Sequence, residues 1–380
     1  MTEVLIGRPT KATIDLDALS FNLRSVRSFI GHEIQVMAVV KADGYGHGAV
    51  ECARRLSREG VDWFGVALPE EGFELREAGI REPILCLGSF WLGQESLIIE
   101  HRLTPVIFEI EKAALLNAEA LRQGKIVDIH VKIDTGMGRI GVRYDEVEEF
   151  ASRLTEFTSL KVDGLMTHFA AADDLSSDFT EQQIARFDRA VGVFRQNGSD
   201  PTYIDLANSP GAIAHPDSRR NLVRLGGVLY GLGGDVLPSG IEKPELLPVI
   251  SVTSDIALIK RVPKGESIGY GRTFFAERDS LIASVPIGYH DGFARNLSNR
   301  AHVIVNGQLV PVVGRVSMDW ITLDITDIKA VSVGTPVTII GSDQNVSITA
   351  EDFARILSTI SYEVTCGISA RVPRIFKEKE

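Results

Sequence analysis

The chain has 380 residues, 44% of them hydrophobic and 24% charged, with a formal net charge of −11. That length predicts two domains, and that composition excludes a disordered chain. The acidic balance, with no basic cluster longer than Arg219-Arg220, excludes nucleic acid as an expected partner.

Residues 1–8 show no basic leader followed by an apolar run, and no stretch approaches the roughly 20 apolar residues needed to span a bilayer. No membrane association is expected, and the cytoplasm is the expected location. Short β-branched runs then alternate with amphipathic helical patterns. Strands are predicted at 35–40, 63–67, 84–88, 104–108, 128–134, 160–167, 203–207 and 221–225. Helices are predicted between most of them, for example at 70–78, 110–122, 146–155 and 181–194. Eight strands alternating with helices is the count of a (β/α)8 TIM-type barrel, and no GxGxxG follows the first strand to favour a doubly wound sheet.

The pattern changes near Leu246-Leu247-Pro248. Strand signals follow at 249–260, 281–287, 301–305, 308–313, 320–324 and 335–340. Asn306-Gly307 marks a hairpin, and Thr349 is the expected N-cap of a helix over 350–360. The expected organisation is a barrel over 8–246 followed by a mostly antiparallel β domain over 247–380, which residues 1–7 could join. Cys52, Cys86 and Cys366 are too scattered for a disulfide framework or a CxxC metal site, and no metal is expected.

The chemistry starts at Val39-Val40-Lys41-Ala42-Asp43-Gly44-Tyr45-Gly46-His47-Gly48. A lysine closes the first strand, at the barrel face that carries active sites, and a glycine-rich turn follows. Desolvation there lowers an amine's pKa and frees its lone pair to attack a carbonyl. Taken alone, such a lysine is more often a surface residue. Its ten-residue context resembles the cofactor-attachment signature of the alanine racemase family. The resemblance continues, in family order, through 132–141, Met166-Thr167-His168-Phe169-Ala170, Ala207-Asn208-Ser209 and Val223-Arg224-Leu225-Gly226-Gly227. It then runs through Gly269-Tyr270-Gly271, Pro286-Ile287-Gly288-Tyr289, Val316-Ser317-Met318-Asp319, and Tyr362-Glu363-Val364 with Arg371-Val372-Pro373-Arg374.

The resemblance implies pyridoxal 5'-phosphate (PLP) bound covalently to Lys41. It implies a phosphate cradle of Tyr45, Ser209, Gly226, Gly227 and Tyr362, with Asn208 also binding the cofactor. The loops after strands seven and eight of such barrels often bind phosphate, and glycine permits close backbone approach. Arg224 is implied to face the pyridine nitrogen. An arginine keeps its proton, so the ring nitrogen stays largely unprotonated and the ring is a weaker electron sink. Taken alone, an arginine here would pair with a carboxylate, and His168 would be a satisfied core histidine.

Racemisation needs a base on each face of the substrate. The resemblance implies Lys41 for one face and Tyr270, from the partner of a homodimer, for the other, with His168 bridging Tyr270 to Arg224. A free tyrosine has a pKa of about 10, so its anion needs such help. Arg139 is implied near the substrate carboxylate, which its guanidinium fork suits. Lys132 matches a lysine that is carbamylated in many family members and replaced in role by chloride in others. Met318, Asp319 and Tyr289 are implied to reach the substrate from the other subunit, Tyr289 also forming a gate with Tyr362.

The expected function is interconversion of L- and D-alanine, supplying D-alanine for peptidoglycan. Rival readings are a serine or broad-specificity racemase, a barrel-type PLP decarboxylase and a non-catalytic PLP-binding protein. A decarboxylase would place a carboxylate at the ring nitrogen, which Arg224 opposes. His290 after Tyr289 and Ser317 before Met318 depart from the common pattern and bear on substrate breadth.

Overall fold

The structure is a computed structural model that describes residues 7–378; residues 1–6, which the sequence reading offered to the second domain, lie outside it. The chain divides into two compact units.

The larger unit spans Leu19–Leu229 and Val236–Leu246. Its strands are Gln35–Val39, Trp63–Val66, Ile84–Cys86, Thr104–Ile107, Val127–Asp134, Leu160–Met166, Tyr203–Asp205 and Leu222–Leu225, all at predicted positions. The first seven pair in parallel in chain order, and the eighth pairs with the first in the register Arg224↔Met37. The seventh and eighth form no ladder, but the Arg224 amide donates to Ala207 O at 2.9 Å just past the seventh. The ring is therefore a nearly closed (β/α)8 barrel. Its strands read as continuous apolar runs because a parallel sheet under helices is buried on both faces.

Alternate residues on each strand share a face. Met37, Trp63, Leu85, Val106, Met166 and Leu222, from six different strands, pack together as a buried cluster inside the barrel. His130 is buried beside Trp63, with ring centroids 5.3 Å apart, and beside Tyr203, at 5.7 Å. Burial pushes its pKa down to about 4, so it sits there neutral. Gly164 makes the room: a Cβ there would lie 2.5 Å from the His130 ring. This layer is the floor on which the site is built.

The smaller unit gathers residues 7–18, Tyr230–Asp235 and the chain from Leu247 onward. Its main sheet runs Gln308–Pro311, His302–Val305, Pro336–Asp343, Ile250–Asp255, Lys11–Asp15 and Arg374–Lys377, antiparallel except for the last pair. Lys11–Asp15 thus pairs in this sheet, although the sequence reading began the barrel at residue 8; its partners lie more than 230 residues away, beyond any local pattern. The run predicted over 249–260 is two strands, Ile250–Asp255 and Leu258–Val262, in different sheets. The chain crosses at Ile256-Ala257, whose amides donate to Thr335 O and Ser284 O. Asn306 (φ 50°) and Gly307 (φ 71°) form the hairpin turn as expected. Thr349 caps Ala350–Leu357 through a capping box with Asp352, and Ser358 at φ 58° ends that helix before the predicted 360.

Candidate active site

The inward stripe of each barrel strand continues past the floor. Counting by twos, Met37 leads through Val39 to Lys41, His130 to Lys132, Met166 to His168, Tyr203 to Asp205 and Leu222 to Arg224. Four residues singled out from the sequence thus stand above the floor on one barrel face, together with Asp205, which was not.

Arg224 is 3% exposed. Its Nη2 donates to Thr167 O at 2.8 Å, to Leu206 O at 3.2 Å and to His168 Nδ1 at 3.2 Å. Its Nη1 pairs with the fully buried carboxylate of Asp205. The expectation that an arginine here would pair with a carboxylate is met in the structure. Burial pushes the Asp205 carboxyl up and Arg224 pulls it down. The guanidinium is fixed on both terminal nitrogens, while Nε–H has no acceptor among the described residues. An Nε–H not used within the protein leaves the guanidinium one donor with which to meet a ligand.

Since Arg224 can only donate, His168 Nδ1 is the acceptor, and the ring's proton belongs on Nε2. Burial, then Arg224, Lys132, Arg139 and Lys41, push the His168 pKa down to about 2. Lys132 is 5% exposed and its amine has no hydrogen-bond partner among the described residues. Burial, then Arg224, Arg139 and Lys41, lower it to about 7. Arg139 is exposed in the loop after the fifth strand, which Asp134 shapes by accepting from Gly136 N at 3.0 Å and Gly138 N at 3.1 Å. Lys41, Arg139 and Arg224, with the partly protonated Lys132 and one buried carboxylate, make this face electropositive, as an anionic ligand requires.

Tyr45, Ser209 and Gly226 meet nearby. Ser209 Oγ accepts from Gly226 N at 3.0 Å, and a Cβ on Gly226 would overlap the Tyr45 hydroxyl. Asn208 caps the short helix Ser209–Ala214 through Gly211 N at 3.0 Å, and Gly227 opens a single 3-10 turn. Two hydroxyls, backbone N–H groups and a position only glycine can fill match the donor set that a phosphate needs.

After Lys41, the residues Ala42, Asp43, Gly44 and Tyr45 are all left-handed, with φ between 52° and 61°. A non-glycine residue pays about 1–2 kcal/mol for that conformation, so neighbours must hold it. Asp43 Oδ1 accepts from Ala49 N at 2.8 Å, and Glu71 Oε1 accepts from Ala42 N at 2.7 Å. Glu71 was also missed from the sequence; three residues after Leu68 it reads only as a helix-start acid.

Tyr270, Tyr289, Met318, Asp319 and Tyr362 belong to the other unit, where they are taken by themselves. Tyr270 stands between Gly269 (φ 75°) and Gly271 (φ 72°) and is 72% exposed. Its loop joins the ribbon Ser267–Ile268 and Phe274–Phe275, anchored by Ile268 and Phe274 in a small apolar cluster. Tyr289 N donates to Ser317 O at 3.0 Å and His290 N to Met318 O at 3.1 Å, so these two loops are held as one. Asp319 is engaged by Arg371 Nη2 at 2.8 Å. Tyr362 lies half-buried in Ser361–Cys366, whose first residue is tied to Asp235 at 2.6 and 2.8 Å.

No helix among the described residues is long and apolar enough to cross a membrane. The family described as "Alanine racemase, N-terminal domain" matches residues 14–233, and "Alanine racemase, C-terminal domain" matches residues 249–376. The chain is 44% identical to an alanine racemase of Geobacter sulfurreducens over 376 residues, covering 97% of each. Among solved structures, it resembles the alanine racemase of Bacillus anthracis with bound L-Ala-P at a TM-score of 0.92 and 34% identity, covering 98% of this chain and 96% of that one. It also resembles the alanine racemase of Bartonella henselae with covalently bound pyridoxal phosphate at a TM-score of 0.87 and 28% identity, covering 98% of this chain and 100% of that one. Matched in both domains and along nearly its whole length, the chain belongs to the alanine racemase family.

Proposed function

We propose that this protein interconverts L- and D-alanine with PLP as cofactor, and so supplies D-alanine for peptidoglycan. The observation that carries the reading is the buried Arg224 guanidinium, held at both terminal nitrogens by Asp205, Thr167 and His168 on the same barrel face as Lys41. Lys41 would hold the cofactor covalently; Tyr45, Ser209, Gly226, Gly227 and Tyr362 would hold its phosphate, with Asn208 beside them capping the helix that carries Ser209. When bound, PLP supplies an electron-withdrawing ring that makes the α-proton of an amino acid removable. Arg224 would donate from Nε to the ring nitrogen without surrendering its proton, which keeps the sink weak and favours quick return of the α-proton. A decarboxylase would set a carboxylate there instead, and the carboxylate at hand, Asp205, is engaged by Arg224 Nη1.

Lys41 would move the proton on one face and Tyr270 of the partner subunit on the other. The exposure of Tyr270, Met318 and Tyr289 (72%, 50% and 41%) supports a homodimer in which that unit completes a partner's barrel site. The proton on His168 Nε2 suits donation to a phenolate, which would lower the cost of ionising Tyr270. Arg139 would hold the substrate carboxylate, with Met318 and Asp319 bounding the substrate and Tyr289 with Tyr362 gating it. Lys132, an amine near neutrality among cations, is suited to take up CO2. The resulting carbamate would pair with Arg139 instead of repelling it; chloride is the alternative occupant.

Purified protein saturated with PLP and given L-alanine or L-serine, with products read on a chiral column, tests the reading. Conversion of alanine well above serine is expected, and Lys41→Ala should abolish it. No D-alanine would contradict the function, and equal rates would favour a broad-specificity racemase.

A further inference from the structure

We propose that Glu71 is the positioning residue that holds Lys41 in place; the proposal rests on the function just given and names a part of the site beyond it. The Glu71 carboxylate accepts three backbone N–H groups. Oε1 takes Ala42 at 2.7 Å, and Oε2 takes Ala67 at 2.7 Å and Leu68 at 3.1 Å. Ala42 directly follows Lys41, while Ala67 and Leu68 directly follow the next barrel strand, Trp63–Val66. One carboxylate therefore ties together the ends of two neighbouring strands at the face where Lys41 stands.

Capping alone would need only Leu68. Glu71 is the third residue of the helix Pro69–Glu77 and reaches back to its N-cap in the usual way. The bond to Ala42 crosses 29 positions and serves no helix start. It lands on the first residue of the left-handed run Ala42–Tyr45, where alanine has no intrinsic reason to stay at φ 53°. Asp43 holds the far end of the same run through Ala49. Without Glu71, Ala42 can return to its preferred backbone region, and the peptide carrying Lys41 turns with it. Glu71 touches no reacting atom in this account and acts through Ala42.

The test compares wild type with Glu71→Ala, Glu71→Gln and the double variant Glu71→Ala with Ala42→Gly. Glycine adopts the left-handed conformation without steric strain, so it should restore much of what the clamp supplied. The first readout is hydrogen exchange of the peptide over 41–48 in the protein without PLP. Exchange should accelerate about tenfold in Glu71→Ala, less in Glu71→Gln, and recover in the double variant. The second is turnover of the PLP-saturated enzyme. Here kcat should fall about 10- to 100-fold in Glu71→Ala, since small misplacements of a reacting group cost that much. KM for alanine should change little, and the double variant should regain most of kcat. Unchanged exchange over 41–48, or a loss of kcat that Ala42→Gly leaves in place, would overturn the proposal and leave Glu71 as a helix cap. The exchange measurement needs no cofactor. It decides on the clamp even if wild type fails to racemise alanine, a result that would sink the function instead.

Discussion

Arg224 Nη2 lies 3.2 Å from His168 Nδ1, and that contact fixes the tautomer of the histidine. The guanidinium keeps its protons, so the imidazole must accept at Nδ1 and carry its own proton at Nε2. With its pKa pushed down to about 2 by burial and the surrounding cations, His168 should stay neutral throughout working pH. Nitrogen-15 NMR, with the signal assigned through its loss in His168→Gln, should show one ring state from pH 5 to 9. A midpoint near the ordinary histidine value of about 6.5 would contradict this electrostatic reading.

Gly226 tests the phosphate cradle. Its backbone φ is ordinary, so alanine there brings no backbone strain, only a methyl group in the space of the Tyr45 hydroxyl. Gly226→Ala should weaken PLP binding about tenfold or more, roughly 1.4 kcal/mol, while kcat at saturating PLP changes much less. Titration of the cofactor-free protein by fluorescence measures it. Unaltered PLP affinity would remove Gly226 and Tyr45 from the cradle.

Lys132 makes stability depend on pH with a definite sign. Its folded pKa is about 7 against an ordinary 10.5, so between those values the unfolded chain holds a proton that the folded chain lacks. Stability from this group therefore rises with pH across that window, and the cost of burying the cation is fully present below it. In CO2-free buffer, Lys132→Met should melt a few degrees higher than wild type at pH 6, with the gap closing toward pH 10. A gap that widens with pH would contradict the assignment. With labelled bicarbonate in chloride-free buffer, wild type should show a carbamate carbon signal that Lys132→Met lacks, and its absence would contradict carbamylation.

The barrel was legible because its eight strands are apolar runs separated by helical patterns, and the second unit's hairpin because Asn306-Gly307 favours two positive φ values. Asp205 was not, since one aspartate after Tyr203-Ile204 carries no motif. Counting by twos along the inward stripe would have found it beside Arg224. The left-handed run at Ala42–Tyr45 was hidden because alanine and tyrosine do not announce positive φ, and Asp43 and Gly44 tolerate it without requiring four such residues in a row. The break at Ile256-Ala257 has no glycine or proline to mark it, so two strands read as one.

The proposed dimer makes activity depend on concentration. If Tyr270 serves the site of a partner subunit, dilution should lower specific activity as dimers separate, with sedimentation showing the matching loss of dimer. A fully active species of monomer mass would contradict the shared site.

The two-base assignment is tested most directly by Tyr270→Phe in deuterium oxide, with deuterium uptake at the α-carbon followed separately from each enantiomer. The substitution removes only the phenol oxygen from an exposed side chain, so fold and cofactor should be preserved. Losing a positioned acid–base group costs about 10²–10⁴-fold, and racemisation should fall by that much in both directions, because each direction uses both bases. Lys41 remains, and in the family resemblance it serves the D enantiomer. D-Alanine should therefore take up deuterium faster than it racemises, while L-alanine takes up almost none. Equal uptake from both enantiomers, or racemisation at the wild-type rate, would contradict a mechanism in which Lys41 and Tyr270 work on opposite faces of alanine.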